Sequence, residues 1–315
     1  MTENIPNRSG DPFTTDDESQ ILNTIDRWLE KDVKDKVLAL DHADEYPTQM
    51  VEQMKSLGLF GATISQRYGG LGMPSASYAK VVTAVSEVWM SLTGIFNSHL
   101  IMAAAVERFG TEEQRQRFLP KFATGEIRGG LALTEPSCGT DLQAIRTKAH
   151  KDGDHYVING AKTWISNGIQ GDCVALLVKT DTEIQPRHKG MSLFLAEKGP
   201  GFSVGPKLKK LGYKGIDSAE LFFDDYVIAA NNLIGGQEGH GFHHTVGGLE
   251  LGRINIAARG VGVANAALKA ATSYAQTRET MGKPIGQHQA IQTKLGDMAP
   301  RCHAARLLVQ DAAQA

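Results

Sequence analysis

The residues best suited to chemistry lie in two short stretches. The first is Leu131-Ala132-Leu133-Thr134-Glu135-Pro136-Ser137-Cys138-Gly139-Thr140-Asp141. Its β-prone start runs into Thr134, Pro136 holds the residue before it extended, and the Gly139-Thr140-Asp141 turn lets backbone approach a ligand closely. A stretch of this kind either ends a sheet or forms a binding edge made largely of backbone. The second is Asn159-Gly160-Ala161-Lys162-Thr163-Trp164-Ile165-Ser166-Asn167-Gly168. An indole offers a broad apolar face and a nearby hydroxyl offers a hydrogen-bond donor.

In order and spacing the pair resembles the acyl-CoA dehydrogenase family, whose flavin lies between an A-x-T-E-P-x-x-G-[ST]-D segment and an N-G-x-K-x-W-I-[ST]-N-G segment. The resemblance implies FAD as cofactor and assigns roles by position. Leu131, Leu133 and Thr134 would contact the flavin rings. Gly139 and Thr140 would meet its ribityl and pyrophosphate side, with Thr140 also reaching acyl-CoA. Trp164 would pack on the isoalloxazine with Ile165 beside it, and the Ser166 hydroxyl would sit near N5. Cys138 departs from the Gly, Ser, Ala or Asn usual there; a thiol is small enough to fit, and no neighbouring His or second Cys in sequence supports a reactive cysteine.

Further on, Leu249-Glu250-Leu251-Gly252-Arg253 resembles the family's substrate segment, which implies that Leu249, Glu250 and Arg253 bind acyl-CoA. Glu250 and Arg253 share a helix face, so an exposed ion pair without a ligand is the plainer alternative. The stretch from Arg278 to Gln289 is similar to the family's R-x-T-F-G-x-x-[LI]-x-x-[HF]-Q, which reaches the FAD of a neighbouring subunit. Arg278, Thr280, His288 and Gln289 are thereby implied in cofactor binding, and a homodimer or homotetramer is expected. A guanidinium suits a pyrophosphate because it donates two parallel hydrogen bonds. Met281 stands where the family has an aromatic.

No catalytic base is assigned. Some relatives carry it one residue before the substrate arginine, which here is Gly252, and Glu250 lies roughly 200° away around a helix. Others carry it in later helices, so relative to the family pattern the chain reads as truncated at its C-terminal end. The expected activity is α,β-dehydrogenation of an acyl-CoA thioester to a trans-2-enoyl-CoA, with hydride passing to flavin N5 and an electron-transfer flavoprotein as acceptor. A non-catalytic flavin- or CoA-binding subunit that needs a partner, and an acyl-CoA oxidase, fit the same motifs.

The elements that must position these residues fall into three runs, giving an α+β fold. After an N-terminal tail (residues 1–18), a helical domain is expected over 19–127, a middle β-barrel or sandwich over 128–240, and a C-terminal helical bundle, left incomplete, over 241–315. Thr15-x-x-Glu18 reads as a capping box, followed by Ile21, Leu22, Ile25, Trp28, Leu29, Val33 and Val37 at helical spacing. Gln49–Leu57 is a shorter helical run, and Tyr68–Pro74 a connection. A stripe from Tyr78 to Val88, then Ile95–Phe109, and a helix capped by Thr111-x-x-Gln114 and ending at Pro120, complete this part. Trp89, Met90 and Phe96 suit the core better than an acyl pocket.

In the middle, Ile145–His150 and His155–Asn159 flank a hairpin turn at Lys151–Asp154, Gly160-Ala161 makes a second turn before Lys162–Ser166, and Val174–Val178, Met191–Ala196 and Ala219–Phe223 are further strands. A long helix over Val246–Thr277 and a last one from Ala290 follow. Gly260-Val-Gly262 lies inside the helical run and follows no strand, so a dinucleotide fingerprint is excluded and close helix packing expected. His240, His243 and His244 lack a metal-binding frame and read as a solvated loop, so no metal is expected.

Composition bounds the rest. With 33 Lys and Arg against 35 Asp and Glu among 315 residues, there is no global basic field to hold nucleic acid. Cys138, Cys173 and Cys302 form no C-x-x-C pair and suit a reducing compartment. The acidic N-terminal stretch suits neither a presequence nor a signal peptide, and no apolar run is read as approaching membrane-spanning length, so a cytoplasmic protein is expected.

Overall fold

The computed structural model describes residues 13–315. The architecture is α+β: helices, then a β domain, then helices. The first helical part contains α1 (Thr15–Trp28), α2 (Val37–Ala43), α3 (Thr48–Ser56), α4 (Ser75–Phe109) and α5 (Glu112–Thr124). The β domain contains β1 (Gly129–Ala132), β2 (Lys148–Asp152), β3 (His155–Ser166), β4 (Cys173–Lys179), β5 (Met191–Glu197), β6 (Phe202–Lys207) and β7 (Ser218–Ala229). Then come α6 (Gly241–Thr277), the small hairpin β8 (Glu279–Thr280) and β9 (Lys283–Pro284), and α7 (Gln289–Gln314). The described residues gather in two compact units, one built on Ala39–Met73 and Gly94–Gly252, the other on Thr14–Leu38, Pro74–Thr93 and Arg253–Ala315.

Several local expectations shift. Of the expected tail, residues 1–12 lie outside the described residues, while Thr15–Glu18 already form the first turn of α1. Its capping box is Thr14 with Asp17, because the Thr14 side chain accepts from the Asp17 N–H while the Asp17 carboxylate accepts from the Thr14 N–H. The stripe through Val33 and Val37 is not one helix, since a π turn at Leu29–Val33 and a 3-10 turn at Lys34–Lys36 interrupt it. Helix α5 passes through Pro120 to a Gly125 cap at φ 72°, held by the buried Phe118, Leu119 and Phe122. Helix α4 contains a break at Trp89, whose φ of −156° is not helical. Contrary to the expectation that no apolar run reaches such a length, this same helix is long and apolar enough by length and composition to cross a membrane, yet 78% of its apolar window is buried within the fold. It is a core helix, with Trp89 and Phe96 buried.

The sheet runs β1-β4-β2-β3-β7-β6, with β5 on β4. Most pairs are antiparallel, while β1 pairs parallel with β4. Strand β2 begins at Lys148, later than expected, because Leu142–Ala144 form a 3-10 turn. The predicted turn at Gly160-Ala161 is not one. Strand β3 continues through it with a register shift between Ile158 and Gly160, and Gly160 takes φ 150°, where an added Cβ would lie 2.4 Å from Thr147 Oγ1. Strand β6 was not expected, because Gly205 and Pro206 within its six residues read as a turn. One face of the sheet packs Ile158, Ile165, Val174, Leu176, Phe194 and Leu221 into a continuous core.

Within the second unit Gly262 of α6 lies against the Thr83 carbonyl of α4, where an added Cβ would come within 2.5 Å of that oxygen and 2.7 Å of Ser86 Cβ. This is the close helix packing that the small residues led one to expect. Gly262→Val is therefore expected to cost about 1–3 kcal/mol through overpacking, read as a lower midpoint in urea or thermal unfolding. Gly260→Ala, with nothing within 4 Å of its added carbon, should be neutral or stabilising in the same measurement.

Candidate functional site

The two motifs meet through a buried ion pair. Lys162, fully buried on β3, donates from Nζ to Glu135 Oε1 at 2.8 Å and to the Leu133 carbonyl at 3.1 Å. Glu135, 5% exposed, accepts further hydrogen bonds from the backbone N–H groups of Arg146 at 2.6 Å and Thr147 at 3.0 Å. Burial pushes the Glu135 carboxyl up, but the Lys162 charge and these hydrogen bonds outweigh it and hold the carboxyl below its ordinary range. Burial in turn pushes Lys162 down, opposed by Glu135. Neither residue stood out as functional in the sequence; the signal was that each sits at a fixed place in its motif.

Around this pair the backbone of the first motif is folded tightly. Glu135 and Cys138 exchange both of their backbone hydrogen bonds, at 2.9 and 3.1 Å, which closes the Pro136-Ser137 turn. Asp141 then accepts from the Gln143 N–H at 3.2 Å and starts the next 3-10 turn. Gly139 and Thr140 are left exposed between them, and Leu131, Leu133 and Thr134 are half-buried. Thr163 N–H donates to the Thr134 carbonyl at 2.9 Å, so the two motifs are joined by backbone next to the tryptophan.

Trp164 is the most telling residue of this edge. Its backbone takes φ 59°, uncommon for a bulky side chain, and its indole is 56% exposed in a domain that buries most of its aromatics. The pairing of β3 with β7 shifts register between Lys162 and Ile165, and this irregularity turns the indole away from the core. Ile165, implied above as a cofactor contact, has its side chain in the sheet core at 2% exposure. Only its backbone is left for a ligand, since alternation sends successive side chains to opposite faces. Ser166 is half-buried. Beyond it Asn167, at φ 59°, donates from Nδ2 to the Ile95 carbonyl at 2.8 Å and the Gly129 carbonyl at 2.9 Å, tying the end of β3 to α4 and β1. Gly130 lies so close to Ser166 that an added Cβ would be 2.8 Å from its carbonyl.

The remaining implied residues lie elsewhere. Leu249 is half-buried on α6, and Glu250 is exposed and paired with Arg108 of α4 at 2.7 Å, so the ion pair foreseen for it has a different partner from Arg253. At Gly252 an added Cβ would be 2.6 Å from Ile101 Cδ1, leaving little room for a side chain. In the second unit Arg253 is exposed on α6, and Arg278, Thr280 and Gln289 are exposed around the β8–β9 hairpin. There Thr280 Oγ1 and His288 Nε2 lie 3.1 Å apart, and Met281 is 95% exposed at φ 50°. The expected solvated histidine loop is instead largely the first turn of α6, which begins at Gly241; His244 is buried there, and burial, then His240 and His243, push its pKa down to about 4.

The first motif and Trp164 fit a flat, largely apolar ring group with a polar tail. An exposed indole beside half-buried apolar residues can carry the rings, and the open Gly139-Thr140 turn can admit the tail.

Comparison with known proteins gives the following matches. Residues 15–126 match the description "Acyl-CoA dehydrogenase, N-terminal domain", residues 130–226 the middle domain and residues 239–315 the C-terminal domain of the same family. An acyl-CoA dehydrogenase of Bacillus subtilis is 37% identical over 301 residues, covering 95% of this chain and 79% of that protein. Butyryl-CoA dehydrogenase from Megasphaera elsdenii superposes with a TM-score of 0.90 at 34% identity, covering 96% of this chain and 80% of the other. A chain from the structure described as the electron transferring flavoprotein of Acidaminococcus fermentans gives a TM-score of 0.91 at 36% identity, with 96% and 80% covered.

Breaking the buried pair from either side should be costly. Glu135→Gln and Lys162→Met are each expected to destabilise by about 3–5 kcal/mol, and the double variant by clearly less than the sum, measured by urea unfolding as a double-mutant cycle. Because the Glu135 carboxyl is held low in the folded chain, its contribution is present above its unfolded value near 4.5 and is lost as pH falls through the folded value. The difference in stability between the natural chain and Glu135→Gln should therefore shrink on acidification below that range and stay level above it.

Proposed function

The chain belongs to the acyl-CoA dehydrogenase family, and from that premise we propose that it binds FAD and takes part in the α,β-dehydrogenation of an acyl-CoA thioester to a trans-2-enoyl-CoA. The family is FAD-dependent. The observation that carries the reading is the exposed Trp164 indole, turned out of the core beside Ser166 and joined by backbone to the Thr134 edge.

In this reading Leu131, Leu133, Thr134 and Trp164 hold the ring system, with the Ser166 hydroxyl as a hydrogen-bond donor near N5. Gly139 and Thr140 meet the pyrophosphate side, and Arg278, Thr280, His288 and Gln289 complete the site of a neighbouring subunit, so the working form is a homodimer or homotetramer. FAD supplies the hydride acceptor. The protein's task is to hold the α and β carbons of the thioester in line with it and to keep water away, which is where a site of this kind gains most of its rate. Leu249, Glu250 and Arg253 are assigned to the thioester. Glu250 is not assigned as the base, because its carboxylate is engaged by Arg108, and neither is position 252, a glycine packed on Ile101. An electron-transfer flavoprotein is the proposed acceptor, supported by the fold likeness to the Acidaminococcus chain.

The test is the visible absorbance of the chain reconstituted with FAD, followed without oxygen as acyl-CoA thioesters of different length are added. Bleaching of the flavin band is the expected result, and a bound flavin that no thioester bleaches would defeat the catalytic part of the proposal. Trp164→Ala and Arg278→Ala are each expected to weaken FAD binding at least about tenfold, by loss of a stacking face and of a phosphate-pairing cation. Unchanged FAD affinity in both would remove the assigned cofactor site.

A further inference from the structure

The turn that follows Ser166 is held by charged side chains from three places distant in sequence. Ser166 is the last residue of β3 and pairs in register with Ser218, the first of β7. Immediately before Ser218 stands Asp217, 2% exposed. Its carbonyl accepts from the Asn167 N–H at 3.3 Å, and its carboxylate Oδ2 accepts from the Ile169 N–H at 2.7 Å. From the other side Lys198 Nζ donates to the Ile169 carbonyl at 2.7 Å, and Arg128 Nη2 donates to the Gln170 carbonyl at 3.2 Å. Arg128 is itself fixed by donating from Nη1 to the Tyr46 hydroxyl at 2.9 Å. Ile169 thus meets a carboxylate at its N–H and an ammonium at its C=O, each the ionised partner that strengthens that bond. All of these residues belong to the first unit.

Holding a surface turn does not by itself call for a buried carboxylate. Ile169 is half-buried and Gln170 exposed, so the turn adds little to the core. Asp217 is nonetheless taken out of water, and its Oδ1 has no hydrogen-bond partner among the described residues. Burial pushes its carboxyl above the ordinary range, against the Ile169 and Gln170 amides and then Lys198 and Lys210. A half-satisfied buried carboxylate lowers stability, and in a native protein such a group marks a place where a fixed geometry outweighs that loss. The geometry fixed here is that of Ser166. The Gly130 backbone closes on the Ser166 carbonyl from one side, and Asp217 closes the chain directly after it. A hydroxyl on one rotatable bond is placed no better than the backbone that carries it.

We propose that Asp217 is a positioning residue for the cofactor: with Lys198 and Arg128 it locks the turn after Ser166 and so holds the Ser166 hydroxyl at flavin N5. The inference rests on the FAD reading above. Asp217 touches neither cofactor nor substrate in this role and acts through Ser166. A misplacement of about 1 Å costs about 100-fold in rate, so a lock one residue away has leverage over hydride acceptance.

The experiment has two readouts, neither of which uses a thioester. In the first, amide hydrogen exchange is followed in the chain without FAD. Asp217→Ala should speed exchange at Asn167 and Ile169 at least about tenfold, as expected for loss of one hydrogen bond to a charged group, and Asp217→Asn, which keeps the acceptor, should restore most of the protection. In the second, FAD is bound and photoreduced with a reference dye, and the ratio of reduced to oxidised flavin is read at a fixed state of the dye. Ser166→Ala and Asp217→Ala should each lower that ratio at least about threefold. The double variant should fall no lower than Ser166→Ala alone, because both act through one hydroxyl. Unchanged exchange in Asp217→Ala, or losses that multiply in the double variant, would overturn the proposal. Should Asp217→Ala not fold, Lys198→Met opens the same turn from its carbonyl side and is read in the same two ways. A natural chain that takes up no FAD defeats the cofactor reading and the positioning role with it, whereas a chain that binds FAD and shows independent losses defeats the positioning role alone.

Discussion

The candidate site depends on one buried charge pair. Glu135 and Lys162 are taken out of water together, so each is tolerable only while the other stays in hydrogen-bonding reach. The Lys162 ammonium divides its hydrogen bonds between the carboxylate and the Leu133 carbonyl, and the carboxylate gathers the amides of Arg146 and Thr147. Three backbone groups, the Leu133 carbonyl within the first motif and the Arg146 and Thr147 amides just after it, are thereby fixed relative to β3. A backbone-built edge can be specific only if its backbone is held still, and this pair holds it.

Given that anchor, the irregularity of β3 becomes useful. A regular strand would alternate its side chains and send Trp164 and Ser166 to opposite fates from Thr163 and Ile165 without bending the chain. The register shift between Lys162 and Ile165 and the left-handed backbone at Trp164 instead put the indole in the open while Lys162 and Ile165 remain buried on the other side. Asn167 then closes the strand, its amide bridging carbonyls of α4 and β1. Strain at Trp164 is thus bracketed by two polar anchors, a local cost of about 1–3 kcal/mol borne by a packed surround.

Helix α6 shows how one element can serve several ends. Its first turn buries the His244 imidazole, its middle carries the segment assigned to substrate, and beyond that Gly262 allows close approach to α4. The polar residues at its start are unlike the apolar stripe a core helix needs, which is why they read as loop. The burial of His244, stacked on Phe109 and His240, is a tertiary effect with no periodic trace.

The amino-acid sequence alone determined the family, the α+β order and the two motifs, because these rest on residue types at fixed spacing: Thr134, Gly139 and Asp141 in one segment, Trp164, Ser166 and Asn167 in the other. It also determined most helices, through spacing and through caps such as Thr111 with Gln114. Only the tertiary structure decided that Glu135 and Lys162 neutralise each other, that Ile165 faces the core while Trp164 faces out, that Glu250 pairs with Arg108, and that Gly160 continues a strand. Each of these turns on a partner distant in sequence or on a backbone angle. Local periodicity reports which face of an element is apolar; it carries no information on which distant group will meet the polar atoms that face leaves unsatisfied.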